Sequence, residues 1–344
     1  MKVTLQPAGH VLDLLPGERI LDAARRLRFD APQSCRNGNC HICNAELLKG
    51  AVLQDEERRS HGEIFTCLAI PEEDCELFWE HVLAPDELPQ HAVACQVTAC
   101  EPIGADVWQV NLRPPAGKPL RYHAGQYLLL QRPDGEATPF SIASAPHQER
   151  TLELHILARD PATEALINQL RSERIAHVQV PFGDCHLATL PDRPLVLIAA
   201  GTGLSQMQSM IEHCLEQRFA YPIHLYWGVR HGDDLYETAY WQQWEQQDNL
   251  ILHKVVSDHP DWSGRQGMLH EAIRSDLGDL SGYEFYVSGS PPMVYGTLDA
   301  LVEGGMPPDQ MHADVFAYAP RDRGARETVL QHSVRRRPVQ VRHG

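Results

Sequence analysis

Residues 35–43 read Cys35-Arg36-Asn37-Gly38-Asn39-Cys40-His41-Ile42-Cys43, and Cys67 follows further along the chain. Three cysteines on one short loop can turn their sulfurs toward one point, and Gly38 gives that loop the backbone freedom to wrap a cofactor. The C-x4-C-x2-C run with one distant cysteine is the ligand spacing of a plant-type [2Fe–2S] cluster. We therefore predict that the metal ligands are Cys35, Cys40, Cys43 and Cys67.

The cysteines have two other interpretations, a structural zinc site and thiols without a shared role. Zinc sites favour paired C-x2-C motifs, and one such motif occurs here. The chain has nine cysteines, and an odd number argues against a disulfide framework. Free cysteines usually act as small core residues. We assign no function to the other five, Cys75, Cys95, Cys100, Cys185 and Cys214.

The pattern of the 344 residues changes along the chain and predicts three folded domains and a tail. Residues 1–90 combine a β-hairpin, a helix and the cysteine loop. Residues 91–191 read as short strands separated by turns, which predicts an antiparallel β-barrel. In residues 192–320 strands alternate with helices, one of them at 235–246, which predicts a doubly wound parallel sheet. Residues 321–344 are rich in arginine and are predicted to be a disordered basic tail.

Composition excludes several functions. The formal net charge is −16, which argues against nucleic-acid binding. An acidic surface confers solubility or docks on a basic partner, and both interpretations stay open. No apolar run approaches the roughly 20 residues of a membrane span, and the N-terminus lacks the apolar run of a signal peptide. We therefore expect a cytoplasmic protein without a membrane span.

Beyond its cysteines, the first segment resembles the ferredoxin family over about residues 1–83. Pro16-Gly17-Glu18 stands before an alanine-rich helix, and Thr66-Cys67-Leu68-Ala69 stands before an acidic strand, as in that family. The resemblance implies a β-grasp ferredoxin domain. The stretch between Cys43 and Cys67 is shortened, which we expect to trim the edge beside the cluster and to leave every ligand in place.

A second resemblance lies in the predicted barrel. Thr138-Pro139-Phe140-Ser141 begins a strand, and His123-Ala124-Gly125-Gln126-Tyr127 precedes it. Alone, the first motif fits any strand, but together the two resemble the flavin-binding barrel of the ferredoxin–NADP reductase superfamily. The resemblance implies that Phe140 lines the isoalloxazine ring and that Ser141 forms a hydrogen bond near flavin N5, where hydride arrives. It also places four more residues in the flavin site: Gly125, Tyr127, Thr138 and Pro139.

The chain departs from that superfamily where the flavin phosphate binds. The arginine of the family motif is Thr138 here, which cannot neutralise a phosphate. The family's Gly-x-x-Ser helix start is replaced by Asp160-Pro161-Ala162-Thr163, which still suits a helix start whose N–H groups hold an anion. Arg159 is the candidate to replace the lost charge. The free flavin reductases show a similar loss and hold flavin loosely, so we predict FAD with its affinity open, and FMN as the alternative.

The predicted parallel sheet contains a nucleotide turn. Residues 195–200 form an apolar strand that runs into Gly201-Thr202-Gly203, and a glycine turn before a helix suits a pyrophosphate. As a lone Gly-x-Gly it also fits a generic turn for another nucleotide. In the superfamily Gly-Thr-Gly at this place is the nucleotide turn. Two further segments resemble nucleotide-binding segments of the superfamily. These are Tyr226-Trp227-Gly228-Val229-Arg230 on the ribose side, and Ser288-Gly289-Ser290-Pro291-Pro292-Met293 beside the nicotinamide.

The resemblance implies that Ser141 and Ser288 act in hydride transfer. Ser288 replaces a cysteine of the family and keeps a small polar side chain, so we expect the transfer to survive. Asp233 and Asp234 would repel a 2′-phosphate, which favours NADH and leaves NADPH as the alternative. Phe316, in the segment Asp314-Val315-Phe316-Ala317-Tyr318, either lies near the flavin or completes the core.

The order of the three modules resembles the CDP-6-deoxy-3,4-glucoseen reductases. It implies an NAD(P)H-dependent oxidoreductase that passes electrons from NADH through FAD and the cluster to a partner protein. A dehydrase of deoxysugar synthesis is the first candidate for that partner, and an oxygenase, served by the same module order, is the second. A flavin reductase and a plain carrier with a vestigial nucleotide module are further alternatives.

Overall fold

The computed structural model describes residues 1–85, 87–117, 120–148 and 150–321. The chain divides into two compact units, Met1–Pro89 and the part from Gln90 onward. The predicted tail at 321–344 lies outside the described residues except for Arg321, and the predicted domain boundary at 191/192 stays a prediction. In the described part of the chain, no helix is both long and apolar enough to cross a membrane.

The first unit is a β-grasp sheet with a helix against it. Its described elements are β1 Lys2–Gln6, β2 His10–Asp13, α1 Ile20–Arg26, β3 Asn44–Lys49, β4 Val52–Gln54, β5 Glu57–Arg59, β6 Gly62–Phe65, β7 Ile70–Pro71 and β8 Cys75–Phe78. The main sheet has the order β2-β1-β8-β3-β6, and β5-β4-β7 form a small second sheet. The helix buries Ile20, Leu21 and Ala24 in the core of this unit, as their helical spacing predicts.

The second unit begins with an antiparallel barrel. Its elements are β9 His91–Pro102, β10 Val107–Arg113, β11 Tyr127–Gln131, β12 Ala137–Ser141, β13 Leu152–Leu157, α2 Pro161–Glu173 and β14 Ile175–Phe182. The sheet has the order β12-β11-β14-β9-β10-β13. Its two edge strands approach each other, because the Ala143 amide, just after β12, donates to the Glu153 carbonyl in β13 at 2.7 Å. The sheet is therefore nearly closed, as the short strands predict.

The second unit continues with a parallel sheet. Its elements are β15 Leu195–Ala200, α3 Leu204–Glu216, β16 Ile223–Val229, α4 Trp241–Trp244, β17 Leu250–Val256, β18 Arg265–Gln266, α5 Leu269–Asp276, β19 Glu284–Ser288, α6 Pro291–Glu303, β20 Met311–His312 and α7 Val315–Tyr318. The order β18-β17-β16-β15-β19-β20 is that of a doubly wound sheet. Helices cover both faces, which is why the first five residues of β15 are fully buried.

The structure differs from the prediction of one helix at 235–246. Within that stretch only Trp241–Trp244 is α-helical. The Tyr236 ring meets Trp227 edge-on, with centroids 5.1 Å apart, and Trp244 is fully buried. Aromatic residues are weak helix formers, so the packing of these rings determines the backbone path here.

Candidate functional site

The predicted cluster ligands lie on the loop before β3 and just after β6. The Cys40 amide donates to the Cys35 sulfur at 3.2 Å, and the Cys35 amide donates to the Cys40 sulfur at 3.5 Å. Cys43 and Cys67 are buried, and their thiols are hydrogen-bonded to each other. The structure therefore brings the four cysteines together as two pairs.

The two pairs differ in the pKa of their thiols. The Asn37 backbone, followed by the Cys40 thiol, lowers the pKa of the exposed Cys35 to about 7. Burial, followed by the Cys43 thiol, raises the pKa of Cys67 to about 11. Thiolates rather than thiols bind metal. Cys35 is thus close to its binding form at neutral pH, whereas Cys67 needs a metal's positive charge to lose its proton.

The loop fits a two-iron cluster. Gly38 has a φ of +80°, and a Cβ there would lie 2.7 Å from Leu68 Cδ1, so a side chain at this position would crowd the inside of the loop. A structural zinc ion takes four ligands around one point. A [2Fe–2S] cluster instead takes two thiolates on each iron. The paired arrangement suits that cluster better than a zinc ion.

The predicted flavin residues of β11 and β12 lie on two faces of the sheet. Tyr127 is the register partner of Ser141, and Pro139 shares their face. Thr138 and Phe140 alternate to the other face, where Phe140 packs against the barrel core. The structure thus brings Tyr127, Pro139 and Ser141 together and places Thr138 and Phe140 across the strand from them. The flavin roles of these residues stay predictions.

Gly125 joins the barrel to α3. Its φ is +102°, and a Cβ there would lie 2.7 Å from the Cys185 carbonyl oxygen and would collide with Met210. The Gly125 carbonyl accepts a hydrogen bond from Gln206 Nε2 at 2.8 Å. Close packing against α3 therefore requires a glycine at this position.

Arg159, predicted to replace the missing phosphate-binding arginine, is paired with two carboxylates. Its Nε lies 2.7 Å from Asp106 Oδ2, and its guanidinium also pairs with Asp234. Burial alone would raise the pKa of Asp234, but the hydrogen bond from Arg159 keeps this pKa below its ordinary value. The Arg159 charge is therefore already shared before any flavin phosphate arrives.

The N-terminus of α2, predicted to hold an anion, already binds the carboxylate of Asp160. This carboxylate accepts hydrogen bonds from the amides of Ala162 at 2.9 Å and Thr163 at 3.0 Å. The Thr163 amide and hydroxyl lower the pKa of Asp160, so it is ionised at neutral pH. A phosphate at this helix end would meet a negative charge as well as occupied amides.

The nucleotide turn and the nicotinamide segment meet at the carboxyl ends of β15 and β19. A Cβ at Gly203 would lie 2.5 Å from the Ser288 carbonyl oxygen, and one at Gly289 would lie 3.0 Å from Ala200 Cβ. The chain order reverses here, since β16 lies on one side of β15 and β19 on the other. Open α/β sheets bind ligands in such a crevice. The structure therefore brings two of the three predicted nucleotide segments into one crevice.

The remaining predicted nucleotide residues surround these segments. Thr202 is half-buried in the middle of the turn, and Pro291 is the first residue of α6. Met293 is half-buried, and its sulfur accepts a hydrogen bond from Thr297 at 3.4 Å. Gly228, near the end of β16, packs so closely on Leu269 that a Cβ would lie 2.8 Å from Leu269 Cδ1. Arg230 extends into solvent and pairs with Asp258 at 3.2 Å.

The two aromatic residues of the C-terminal segment have different surroundings. The Phe316 ring packs 5.6 Å from Tyr295, within the core beside α6. Tyr318 is 63% exposed. Partial burial and, after it, the Asp314 carboxylate raise the pKa of this largely exposed Tyr318. Phe316 therefore packs on the core while its place near the flavin stays a prediction, and Tyr318 is the exposed aromatic near Asp314.

Asp314, at the start of this segment, makes structural contacts that the sequence did not indicate. Its half-buried carboxylate accepts hydrogen bonds from the amides of Asp184 and Cys185, both at 3.0 Å, and from Gln206 Nε2 at 3.2 Å. Burial raises the pKa of Asp314 to about 6. This carboxylate ties α7 to the barrel and to α3. In the sequence, only its position two residues before the aromatic Phe316 drew attention to Asp314.

Comparisons with known proteins agree with this arrangement. Residues 3–72 match the 2Fe-2S iron-sulfur cluster binding domain, and residues 197–299 match the oxidoreductase NAD-binding domain. The chain is 28% identical to the CDP-6-deoxy-L-threo-D-glycero-4-hexulose-3-dehydrase reductase of Yersinia pestis, over 92% of this chain and 98% of the relative. It is also 28% identical to the terephthalate 1,2-dioxygenase reductase component 2 of a Comamonas species, over 89% and 94%.

Two further proteins extend the comparison. The NAD(P)H-flavin reductase of Vibrio harveyi is 31% identical over 66% of this chain and 99% of its own length. The crystal structure of the Amycolatopsis cytochrome P450 reductase GcoB superposes with a TM-score of 0.63 at 27% identity, covering 91% of this chain and 98% of that one.

The fold and the two matched domains define an NAD(P)H-dependent oxidoreductase that transfers electrons through a flavin and an iron–sulfur cluster. More closely, the chain belongs to the ferredoxin–NAD(P)H reductase family of flavoproteins, in the group with an N-terminal plant-type [2Fe–2S] domain. Its cofactors are the [2Fe–2S] cluster, FAD and NAD(H).

Proposed function

We propose that this reductase supplies electrons to a dehydrase that acts on a CDP-bound 6-deoxy sugar. The observation that carries the proposal is the exposure of the cysteine loop: Cys35 is exposed, and Ile42, between two predicted ligands, is 50% exposed. A partner protein can therefore approach the predicted cluster closely. Support also comes from the reductase of such a dehydrase in Yersinia pestis, which matches nearly the whole chain.

We propose the following division of roles among the chain's residues. Cys35 and Cys40 bind one iron, and Cys43 and Cys67 bind the other. The turn Gly201–Gly203, together with Gly289, provides close backbone approach for the nucleotide. Ser141 and Ser288 line the site of hydride transfer from the barrel and from the parallel sheet. When bound, the flavin accepts a hydride and the cluster carries single electrons.

NADH is our proposal for the reduced nucleotide. Arg230, in the predicted ribose-side segment, pairs with Asp258, and Asp233 and Asp234 follow it in the chain. A 2′-phosphate would compete with Asp258 for the Arg230 guanidinium and would approach Asp233 and Asp234, the second of which is paired with Arg159. The cytoplasmic location stays a prediction from the sequence.

An oxygenase is the second candidate for the partner, because the dioxygenase reductase component matches at the same identity as the dehydrase reductase.

The alternative of a flavin reductase is favoured by a different observation. Arg159 and the α2 amides are already engaged by carboxylates, which weakens the grip on a flavin phosphate. Under that alternative, reduced flavin itself leaves the protein.

The test mixes the reconstituted chain and NADH with each partner and its substrate. A purified CDP-6-deoxy-hexulose-3-dehydrase should raise NADH consumption in proportion to its concentration, and a terephthalate dioxygenase should not. Cys40→Ser should abolish this partner-dependent rate while free riboflavin is still reduced. The proposal is wrong if only the dioxygenase turns over, or if NADH consumption depends on added riboflavin alone.

A further inference from the structure

Two ionisable side chains are buried on β13, where the barrel meets the parallel sheet. Glu153 is 8% exposed and His155 is 4% exposed. His155 Nε2 lies 2.9 Å from Glu153 Oε1. Because a carboxylate only accepts, Nε2 must be the donor. Although burial raises the pKa of Glu153, the hydrogen bond from His155 holds it below its ordinary value, so Glu153 is ionised.

Both members of this pair bind partners from the nucleotide half of the unit. Gln208 Nε2, on α3, donates to Glu153 Oε1 at 2.8 Å. The Tyr236 hydroxyl, in the segment after β16, lies 3.1 Å from His155 Nδ1. A buried hydrogen-bonded pair is weak support for stability, since apolar residues of the same shape would do about as well. A role in fixing position accounts for the pair better.

The contacts continue from Tyr236 to the nucleotide turn. The Tyr236 ring meets Trp227 edge-on, with centroids 5.1 Å apart at an interplanar angle of 77°. Trp227 is fully buried, and its indole Nε1 donates to the Gly201 carbonyl at 2.9 Å. Gly201 has a φ of +54° and is the first residue of the turn. An unbroken series of contacts thus joins barrel strand β13 to the nucleotide turn.

We propose that Glu153, His155, Tyr236 and Trp227 form a positioning relay that sets the nucleotide turn against the flavin barrel. The proposal rests on the assignment of Gly201–Gly203 as the nucleotide turn under the proposed function. Apolar packing between the two halves is non-directional and tolerates sliding, whereas hydrogen bonds have preferred angles and lengths. Hydride transfer requires reacting atoms about 3–3.5 Å apart. The relay residues are all buried, and we expect them to act through the turn.

The first variants remove one polar group each and leave an aromatic ring in its place, smaller in the case of Trp227. Tyr236→Phe deletes the hydroxyl that meets His155, and Trp227→Phe deletes the donor to Gly201. Trp244→Phe is the matched control. Trp244 is a fully buried indole of the same apolar cluster, and its Nε1 donates to Glu212 at 2.6 Å, away from the turn.

The kinetic readout is anaerobic flavin reduction by NADH, followed by stopped flow. We expect Tyr236→Phe and Trp227→Phe to lower the limiting reduction rate about 10–100-fold, the cost expected for a misplacement near 1 Å. The Kd for NADH should change less than about threefold, and the deuterium isotope effect with 4-deuterated NADH should change. A role in stability alone would lower the melting temperature in all three variants and leave the limiting rate at the wild-type value, which would overturn the proposal.

A second readout does not depend on turnover. Hydrogen–deuterium exchange of the peptide that contains Gly201–Gly203 should be several-fold faster in Tyr236→Phe and Trp227→Phe than in wild type or Trp244→Phe. Unchanged exchange in both variants would contradict the relay.

Gly203→Ala separates the relay from the assignment of the nucleotide turn, because its Cβ would lie 2.5 Å from the Ser288 oxygen. Normal reduction by NADH in Gly203→Ala would refute the nucleotide turn itself, whereas impaired reduction there together with a normal Tyr236→Phe refutes the relay alone.

Discussion

Replacing Thr138 by arginine tests whether the flavin phosphate lacks a cation. Thr138 is half-buried on β12, at the place of the family's phosphate-binding arginine. Two candidate arginines for the phosphate already pair with carboxylates: Arg132 with Asp134 at 2.7 Å, and Arg159 with Asp106 at 2.7 Å. A new guanidinium on β12 would therefore supply a charge that these two arginines share with carboxylates.

The expected gain follows from one charged hydrogen bond at a half-exposed site. Such a bond contributes about 1.5–3 kcal/mol, and solvent screening at this surface reduces it to about 1–2 kcal/mol. That range corresponds to about 5–30-fold tighter FAD binding. Riboflavin has no phosphate, so its affinity should change far less.

The assay titrates flavin-free wild type and Thr138→Arg with FAD and with riboflavin, following the quenching of flavin fluorescence. Asp160 could capture the new guanidinium, so the double variant Thr138→Arg/Asp160→Ser serves as a control, and serine keeps the helix cap. If riboflavin gains as much as FAD in either variant, the phosphate explanation is wrong. If wild type already binds FAD as tightly as both variants, the phosphate has another partner.

Two further predictions concern the cysteines and Asp314. Cys40→Ser should lose the visible absorbance and the iron of the oxidised [2Fe–2S] centre, whereas Cys75→Ser, at a buried thiol outside the loop, should keep both; normal iron content in Cys40→Ser would refute the ligand assignment. Burial raises the pKa of Asp314 from 3.8 to about 6, so the folded state binds the carboxyl proton more tightly than the unfolded state does. The stabilisation that this proton gives the fold is therefore complete below pH 3.8 and is lost as the pH rises through about 6. Between pH 4.5 and 7.5 wild type should therefore lose roughly 2 kcal/mol of unfolding free energy relative to Asp314→Asn. Urea titrations followed by tryptophan fluorescence measure this difference, and parallel pH profiles of the two proteins would contradict the raised pKa of Asp314.

Local signals in the sequence were sufficient to locate the cysteine loop and the strand–turn–helix at Gly201–Gly203, whose ligand roles stay predictions. In both, the chemistry depends on spacing within a few residues, as with Cys35, Cys40 and Cys43, and this spacing is visible without a fold. The helix predicted at 235–246 was wrong because Tyr236 and its aromatic neighbours pack against Trp227, and sequence patterns do not contain that packing.

The positioning relay could not be predicted for a different reason. Residues 152–156 read Leu-Glu-Leu-His-Ile, which is the alternation of a strand with one face in solvent. The structure covers that polar face with α3, so Glu153 and His155 are buried. The polar residues of α3 mislead in the same way, since Gln206, Gln208 and Ser209 read as a solvated helix face yet are buried.

The polar seam around α3 explains how the barrel and the parallel sheet act together. Gln206 donates to the Gly125 carbonyl at 2.8 Å, and Ser209 donates to the Ser144 carbonyl at 2.8 Å. Each satisfied bond adds little net stability, about 0.5–1.5 kcal/mol, but sliding would leave several buried groups unsatisfied at about 1–3 kcal/mol each. The seam therefore tolerates a single register. Because α3 begins at the nucleotide turn, the register of α3 on the barrel also determines where the turn lies against the barrel. An apolar seam of equal stability would not fix that position.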